Sequence, residues 1–258
     1  MTNTIQQKLK LLTSLKTPGI PLLSAYLAKL GISRNLQQYY ARSGWLEHIG
    51  HGVYIWPGDE LDWQGIVHSL QAQLGMPIHI GARAALSLAG YSHFLRTAGE
   101  DEVFLFSSRK RDLPKWVSRN SRGKNLKLYY TSIFSDDALG LSDISHKAFT
   151  LSASCPERAI LESIYLTPEI VGYLEAYHLM ENLTTLRPQL LNELLNLCGS
   201  VKVKRVFSLF ADKAGHSWAR SLDKNIGLGE GIRSLAKNGV YIEDYRLVIP
   251  KELSNLWD

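Results

Sequence analysis

The chain has 258 residues, 45% of them hydrophobic and 21% charged, and a formal net charge of +5. This composition is typical of a folded globular protein, and the length allows one large domain or two ordinary ones. No window reaches the roughly 18 apolar residues of a membrane helix, and residues 1–16 lack the apolar run of a signal peptide. We therefore expect a cytoplasmic protein with no membrane partner.

Positive charge is concentrated at the N-terminus. Residues 1–56 carry six Lys or Arg against a single acid, Glu47, whereas basic and acidic residues balance at 23 each over residues 57–258. A clustered excess of this kind is typical of a surface that binds a polyanion. It predicts a basic N-terminal domain, here called the head, that binds a polyanion. The remainder of the chain, here called the body, is expected to have a different function.

The order of local signals in this segment predicts a winged helix-turn-helix over residues 1–58. Ile32 is expected to enter the core, and Ser33 to cap the third helix. The predicted elements are a helix over 4–16, a helix over 21–30, a left-handed cap at Gly31, a helix over 33–43, and strands over 45–49 and 53–56 joined by Gly50-His51-Gly52.

The third predicted helix carries residue types that read DNA. Leu36 and either Tyr39 or Tyr40 are expected to face the core, which leaves a polar face outward. Arg binds guanine bidentately, and Gln pairs with the adenine edge. Residues at the N-terminal end of the helix and on the hairpin are suited to contact DNA phosphates. Such a face alone is ordinary solvated surface, but the hairpin and the local charge favour DNA. The candidate contacts are Ser33, Arg34, Asn35, Gln37, Gln38, Arg42, His48 and His51.

Residues 59–258 are expected to form a mixed α/β body with a mainly helical C-terminal half, and a subdivision can be drawn near residue 153. The fold class is therefore α+β. Helices are predicted over 63–74, 83–89, 156–166, 168–180, 188–197 and 203–214, and strands over 76–80, 103–106, 126–130, 149–151, 240–242 and 246–249.

A second basic island covers residues 109–127, with eight Lys or Arg against one Asp. It is interpreted in three ways: a solvated loop, an extension of a DNA footprint, or a site for RNA or an acidic partner with Trp116 as a stacking platform. Its candidate contacts are Arg109, Lys110, Arg111, Lys115, Arg119, Arg122 and Lys124.

Sequence motifs of enzymes are missing. The chain has no GxxxxGK[ST], HExxH or GxSxG motif, and its eight histidines are scattered without metal-ligand spacing. Cys155 and Cys198 are predicted to be buried apolar side chains. We expect no catalytic residues, no metal and no cofactor.

Several segments resemble the AbiEi antitoxins, the regulator half of type IV toxin–antitoxin operons. The resemblance rests on Gly31-Ile32-Ser33-Arg34, Gly44-Trp45-Leu46 and Gly52-Val53-Tyr54 in the head. In the body it rests on HIGARAALSLAGYSHFL (79–95) and SCPERAILESI (154–164). It covers most of the chain, and the order and spacing of the segments are more specific than any one of them.

The resemblance implies a repressor of its own operon that binds inverted repeats in promoter DNA, and a place in phage defence. It also implies an antitoxin that counteracts a nucleotidyltransferase toxin without needing a stable complex. Glu157 and Arg158 match the family helix and are expected to anchor packing. His51 stands where an Arg is expected, which weakens the case for a wing-to-phosphate contact at neutral pH.

Two other classes of function remain open. A ligand-sensing regulator would have an apolar pocket between residues 60 and 150. A nuclease with a DNA-targeting head would need acidic metal ligands with a lysine two residues on, and no Asp-x-Lys or Glu-x-Lys occurs in the sequence.

Overall fold

The computed structural model describes residues 2–91, 102–120, 124–223 and 226–257. The N-terminal segment folds into helices and a small sheet of strand order β1-β3-β2. Its elements are α1 (Thr2–Ser14), β1 (Leu22–Leu23), α2 (Ser24–Lys29), α3 (Arg34–Arg42), β2 (Glu47–Gly50) and β3 (Val53–Ile55).

The turn between α2 and α3 forms as predicted. Gly31 has a φ of 78°, a left-handed conformation that glycine adopts without steric cost. Ile32 is completely buried, and the Ser33 hydroxyl accepts a hydrogen bond from the Leu36 N–H at 3.4 Å. These local contacts fix where α3 begins and how it is oriented.

The second predicted helix begins later than expected. Leu22 and Leu23 form a short strand that pairs antiparallel with Tyr54 and Val53 of β3, and α2 begins only at Ser24. The Leu23 N–H donates to Oε1 of Gln73 at 2.9 Å, so a body side chain helps to hold this backbone extended. Pro21 therefore precedes a strand and does not start a helix.

The N-terminal segment has its own hydrophobic cluster and is also tied to the body. The cluster contains Leu12, Leu22, Leu27, Ile32, Tyr40, Leu46, Tyr54 and Trp56. Ile20 packs instead in the larger cluster of the body. The Pro21 carbonyl accepts hydrogen bonds from Ser69 Oγ at 2.9 Å and Gln73 Nε2 at 2.7 Å. Removing a segment that includes Ile20 and Pro21 would therefore expose part of the body.

A five-stranded mixed sheet of order β6-β5-β4-β8-β7 forms the centre of the body. The strands predicted at residues 103–106, 126–130 and 149–151 are confirmed with longer bounds. β7 was not predicted, because its sequence LSDISH is polar and its side chains are largely exposed at the sheet edge. The strands are β4 (His79–Ile80), β5 (Glu102–Ser107), β6 (Asn125–Tyr130), β7 (Leu141–His146) and β8 (Phe149–Ser154).

Helices cover this sheet and make up most of the second half. α7 is central: Ile160, Leu161 and Ile164 are fully buried, and burial of each of these side chains contributes about 1.5–3 kcal/mol. The helices are α4 (Trp63–His68), continued by a π-helical turn (Ser69–Gln73), α5 (Ala82–Leu86), α6 (Lys115–Asn120), α7 (Pro156–Tyr165), α8 (Tyr173–Glu181), α9 (Pro188–Leu197), α10 (Val201–Ala214) and α11 (Lys251–Ser254).

The α+β class is confirmed, but several helices differ from the prediction, and α11 was not predicted at all. α8 begins at Tyr173 and not at Pro168, because the N–H groups of Ile170 and Val171 bond the Leu166 carbonyl in a turn. α6 lies in the basic island, where no helix was predicted. A small sheet of β9 (Arg233–Ser234), β10 (Val240–Ile242) and β11 (Leu247–Ile249) precedes α11.

Candidate nucleic-acid interface

The outward face of α3 presents three long polar side chains. Arg34, Gln38 and Arg42 are exposed and lie four residues apart, so they follow one another along a single face. Ser33 and Asn35 are exposed at the start of the helix, beside its first backbone N–H groups.

The β2–β3 hairpin stands beside this face and encloses a groove. The His48 ring packs on Tyr54 with 4.4 Å between ring centroids. An open groove of about 790 Å³ is lined by Arg34 and Gln38 on one side and by His48 and His51 on the other. A smaller depression joins Gln38, Arg42 and His48. Five of the predicted contact residues are thus brought together.

Gln37 does not belong to this surface, and its prediction as a DNA contact is wrong. Its side chain is 0% exposed. Its Nε2 donates to the carbonyls of Ser24 (3.1 Å) and Ile32 (2.8 Å), and its Oε1 accepts from Ser24 Oγ at 2.6 Å. Gln37 is three residues from the buried Tyr40 and therefore shares its inward face. It joins α2 to α3 and cannot reach DNA.

Neighbouring glutamines should consequently respond differently to truncation. We expect Gln37→Ala to lower the free energy of unfolding by about 1–3 kcal/mol, because it removes three hydrogen bonds of a buried side chain. Gln38→Ala, on the exposed face, should change it by less than about 0.5 kcal/mol. Urea unfolding of both variants checks this, and equal stabilities would contradict the assigned role of Gln37.

Tyr39 is an α3 surface residue that the sequence analysis left ambiguous. Its side chain is 58% exposed, whereas Tyr40 is 1% exposed. Trp45, just after α3, is 43% exposed. Large exposed aromatic side chains beside a cationic face are further candidates for contact with a partner.

The basic island lies against the hairpin. Asn120 Nδ2 donates to the Ile49 carbonyl of β2 at 3.4 Å. Trp116 packs closely on Gly50: a Cβ atom added to Gly50 would lie only 3.3 Å from Trp116 Cβ. Gly50 also lines the groove. Trp116 and Asn120 are four residues apart, so one face of α6 packs on β2. This contact gives Trp116 a packing role, which counts against its use as a stacking platform.

The remaining face of α6 is cationic. Lys115 and Arg119 are exposed, as are Arg109, Lys110 and Arg111, and these five form no ion pair within the described parts of the chain. Lys124 is half-buried, and Lys127 is ion-paired with Glu102. Arg122, also predicted as a contact, lies outside the described residues.

The buried carboxylates Glu157 and Glu162 have structural partners. Glu157 accepts three hydrogen bonds from the backbone and guanidinium of Arg187 at 2.8–3.0 Å, and Arg158 pairs with Glu162. These contacts fit the packing role expected of Glu157 and Arg158. Burial raises the pKa of the Cys155 thiol to about 11, which keeps it protonated at neutral pH. No cluster of three or more metal-binding side chains occurs among the residues described.

Family models match nearly the whole chain. Residues 5–97 match the N-terminal domain of the AbiEi antitoxin transcriptional regulators, and residues 100–250 match the model for the transcriptional regulator, AbiEi antitoxin, of type IV toxin–antitoxin systems. The chain belongs to the AbiEi antitoxin family. The sequence resemblance to this family is therefore confirmed.

A solved structure shares the fold of this AbiEi-family chain. The RV2827C protein from Mycobacterium tuberculosis is similar with a TM-score of 0.58 at 14% identity, over 89% of this chain and 86% of that one. At this identity the likeness concerns the fold alone. No curated protein matches the chain significantly. None of the described helices is long and apolar enough to cross a membrane.

Proposed function

We propose that this AbiEi-family regulator binds double-stranded DNA through residues 1–58, acting as a winged helix-turn-helix, and so represses its own toxin–antitoxin operon. The groove between α3 and the β2–β3 hairpin is the observation that carries this proposal. α3 is the recognition helix and the hairpin is the wing. The body, residues 59–258, carries the antitoxin activity against a nucleotidyltransferase toxin.

The side chains of α3 suit the edges of bases in the major groove. Arg34 and Arg42 can bind guanine O6 and N7 bidentately, and Gln38 can pair with adenine N6 and N7. Ser33, Asn35 and the free N–H groups at the helix start suit phosphate oxygens. His48 and His51 are positioned to approach the sugar–phosphate backbone from the wing.

α6 extends this surface beyond the head. Lys115 and Arg119 are held beside the wing by the contacts of Trp116 and Asn120 with β2. Phosphate contacts at that position add affinity without adding sequence preference. This favours the DNA-footprint interpretation of the basic island over that of an isolated solvated loop.

One head of this size covers one half-site, so we propose that two copies occupy an inverted repeat. The antitoxin role follows from family membership, and we propose that it needs no enzymatic chemistry. Family members are described as regulators and antitoxins, and the described residues offer neither a metal cluster nor an activated thiol.

Binding of the purified chain to the DNA just upstream of its own gene tests the proposal. The control is a scrambled duplex of equal length, and both duplexes are measured over a salt series. We expect the upstream duplex to bind at least tenfold more tightly at moderate salt, since specific sites exceed non-specific ones by far more than that. Equal affinity for both duplexes would refute a sequence-specific repressor.

The contribution of α6 can be measured separately. We expect Lys115→Ala combined with Arg119→Ala to reduce the slope of log affinity against log salt by about 2, because each phosphate contact contributes about 0.9. The ratio of specific to non-specific affinity should stay unchanged. Lys237→Ala with Lys251→Ala removes the same charge from exposed positions in the C-terminal region and should leave the slope as it is. An unaltered slope in the α6 variant would exclude α6 from the interface.

A further inference from the structure

A cavity of about 450 Å³ lies in the body, at the edge of the sheet where β5 and β6 end and β4 begins. Its wall is mainly apolar and includes Met76, Ile78, Phe106, Ile133 and Phe134. A cavity of this size and lining is typical of sites that enclose a small organic molecule and orient it with a few polar groups.

A buried ionic cluster lines part of this cavity. Glu162 Oε1 accepts a hydrogen bond from Arg158 Nε at 2.9 Å and lies 2.8 Å from His79 Nε2. Its Oε2 accepts from the Ala82 N–H at 3.1 Å and from Ser154 Oγ at 2.8 Å. All of the usual acceptor positions of the carboxylate are therefore occupied, and it holds Arg158 and His79 in fixed orientations.

Arg158 keeps an unused donor at the cavity. Its Nη1 donates to the carbonyls of Asp137 (3.0 Å) and Leu139 (2.6 Å). The Phe134 ring packs against the guanidinium, with 4.7 Å between Cζ and the ring centroid. Its Nη2 makes no hydrogen bond to any described residue, although the side chain is only 6% exposed. His79 Nδ1 is likewise unbonded within the described chain, with its side chain 8% exposed. Both side chains line the cavity.

Further donor groups surround the same space. The Thr131 hydroxyl accepts from the Ile133 N–H at 3.2 Å, which leaves its own proton free to donate. Arg109, at the rim, has an exposed guanidinium that forms no ion pair in the described chain. Asp137 is the exposed carboxylate of the rim, where water screens it. Unused hydrogen-bond donors therefore outnumber unused acceptors around the cavity, and a ligand that matches the site supplies hydrogen-bond acceptors.

We propose that this cavity binds a small organic carboxylate with a ring-sized apolar body. The carboxylate accepts hydrogen bonds from the unused donors of Arg158 and Thr131, where charge assistance makes such bonds short and strong. The apolar body lies against Phe106, Phe134 and Ile78. Arg158 and Thr131 lie outside the proposed DNA surface, and only Arg109 at the rim belongs to the basic island. The proposed binding of the carboxylate does not depend on DNA binding.

Fluorine NMR with 4-fluorobenzoate and 4-fluorophenylacetate, added at millimolar concentration to the full chain, tests this site. We expect saturable binding of at least one acid, and no comparable binding of its uncharged amide. Thr131→Val should lower the affinity for the acid about tenfold, the usual effect of losing one hydrogen bond to a charged group. Ser132→Val alters the exposed neighbouring residue, which does not line the cavity, and is the matched control.

Ala138→Trp blocks the mouth from an exposed position and should abolish binding, and far-UV circular dichroism verifies that this variant folds. The proposal is overturned if neither acid binds saturably, if the amides bind as tightly as the acids, or if folded Ala138→Trp keeps its affinity. Should Ala138→Trp fail to fold, the comparison of Thr131→Val with Ser132→Val decides alone, and equal affinities in that pair would overturn it.

Discussion

Replacing Arg34 and Gln38 together by alanine is expected to weaken operator binding by about 2–6 kcal/mol, because each good base contact is worth about 1–3 kcal/mol. Both side chains line the groove between α3 and the hairpin, and neither is needed for the core. The expected signature is therefore a loss of sequence preference in a protein of unchanged stability. Affinity for operator and scrambled duplexes should converge.

A matched control is available in the body of the chain. Gln189→Ala with Arg220→Ala also removes one amide and one guanidinium from exposed positions, in α9 and shortly after α10. This control should keep operator binding intact. If the groove variant retained both affinity and preference, the assignment of α3 as recognition helix would be wrong, and the exposed Tyr39 and Trp45 would be the next residues to test.

The groove variant also separates the two proposed activities. Cells that express the cognate toxin should still be rescued by Arg34→Ala with Gln38→Ala, while repression of a promoter fusion should be lost. A point variant is preferable to deleting the head, since Ile20 packs in the core of the body and Pro21 bonds to Ser69 and Gln73. Loss of rescue by a folded, soluble variant would show that DNA binding and antitoxin activity are inseparable.

Truncating Glu162 to alanine should lower the free energy of unfolding by about 3–5 kcal/mol, because it leaves the buried Arg158 and His79 without their shared carboxylate. Four contacts to Glu162 would be lost together. Typical domains are stable by only about 5–15 kcal/mol, so the variant should lose a large part of its stability. Urea unfolding followed by both fluorescence and circular dichroism measures the change.

Glu193→Ala is the control for this experiment. Glu193 is exposed on α9, and its removal should change stability by no more than about 0.5 kcal/mol. Similar losses in the two variants would mean that the ionic cluster contributes no more than an ordinary surface residue.

The same cluster predicts how stability depends on pH. Burial alone would raise the pKa of Glu162, but His79 and Arg158 outweigh it and hold the pKa below its ordinary value. A group whose pKa is lower in the folded state stabilises the protein above its unfolded-state pKa, about 4.3 for glutamate. That stability is lost as the pH falls through the folded-state pKa.

Wild-type stability should therefore fall on acidification below about pH 4, and Glu162→Gln should show a smaller fall. Some dependence should remain, because the hydrogen bonds of Arg187 also hold the pKa of the buried Glu157 below its ordinary value, against the opposing effect of burial. Equal acid sensitivity of the two proteins would show that Glu162 does not contribute.

Much of the fold could be read from local signals. Gly31, Ser33 and the apolar spacing around them specify the α2–α3 turn, because cap and turn chemistry acts over three or four residues. α9 has the predicted bounds, since Pro188 starts it and its leucines repeat at helical spacing. The AbiEi resemblance was also evident, because it rests on short segments in a fixed order.

Other features depended on which residues meet in three dimensions. Helical spacing left Tyr39 and Tyr40 as alternatives, and only packing against α2 chose Tyr40 and buried Gln37 with it. β1 is held by partners about 30 and 50 residues away. A helix of only six residues such as α6 has too few apolar positions for a clear helical pattern in the sequence. Its position on the hairpin depends on a contact between residues 71 positions apart in the sequence.

The sequence by itself thus determined most of the local elements, the concentration of basic charge and the family. The tertiary structure decided which polar residues are buried and which cations lie beside the β2–β3 hairpin. It also brought His79 and Glu162, 83 residues apart in the sequence, together at a cavity. The physical reason is that propensity and capping act between neighbours in the chain. Burial and electrostatic pairing act between neighbours in space, which one sequence does not reveal.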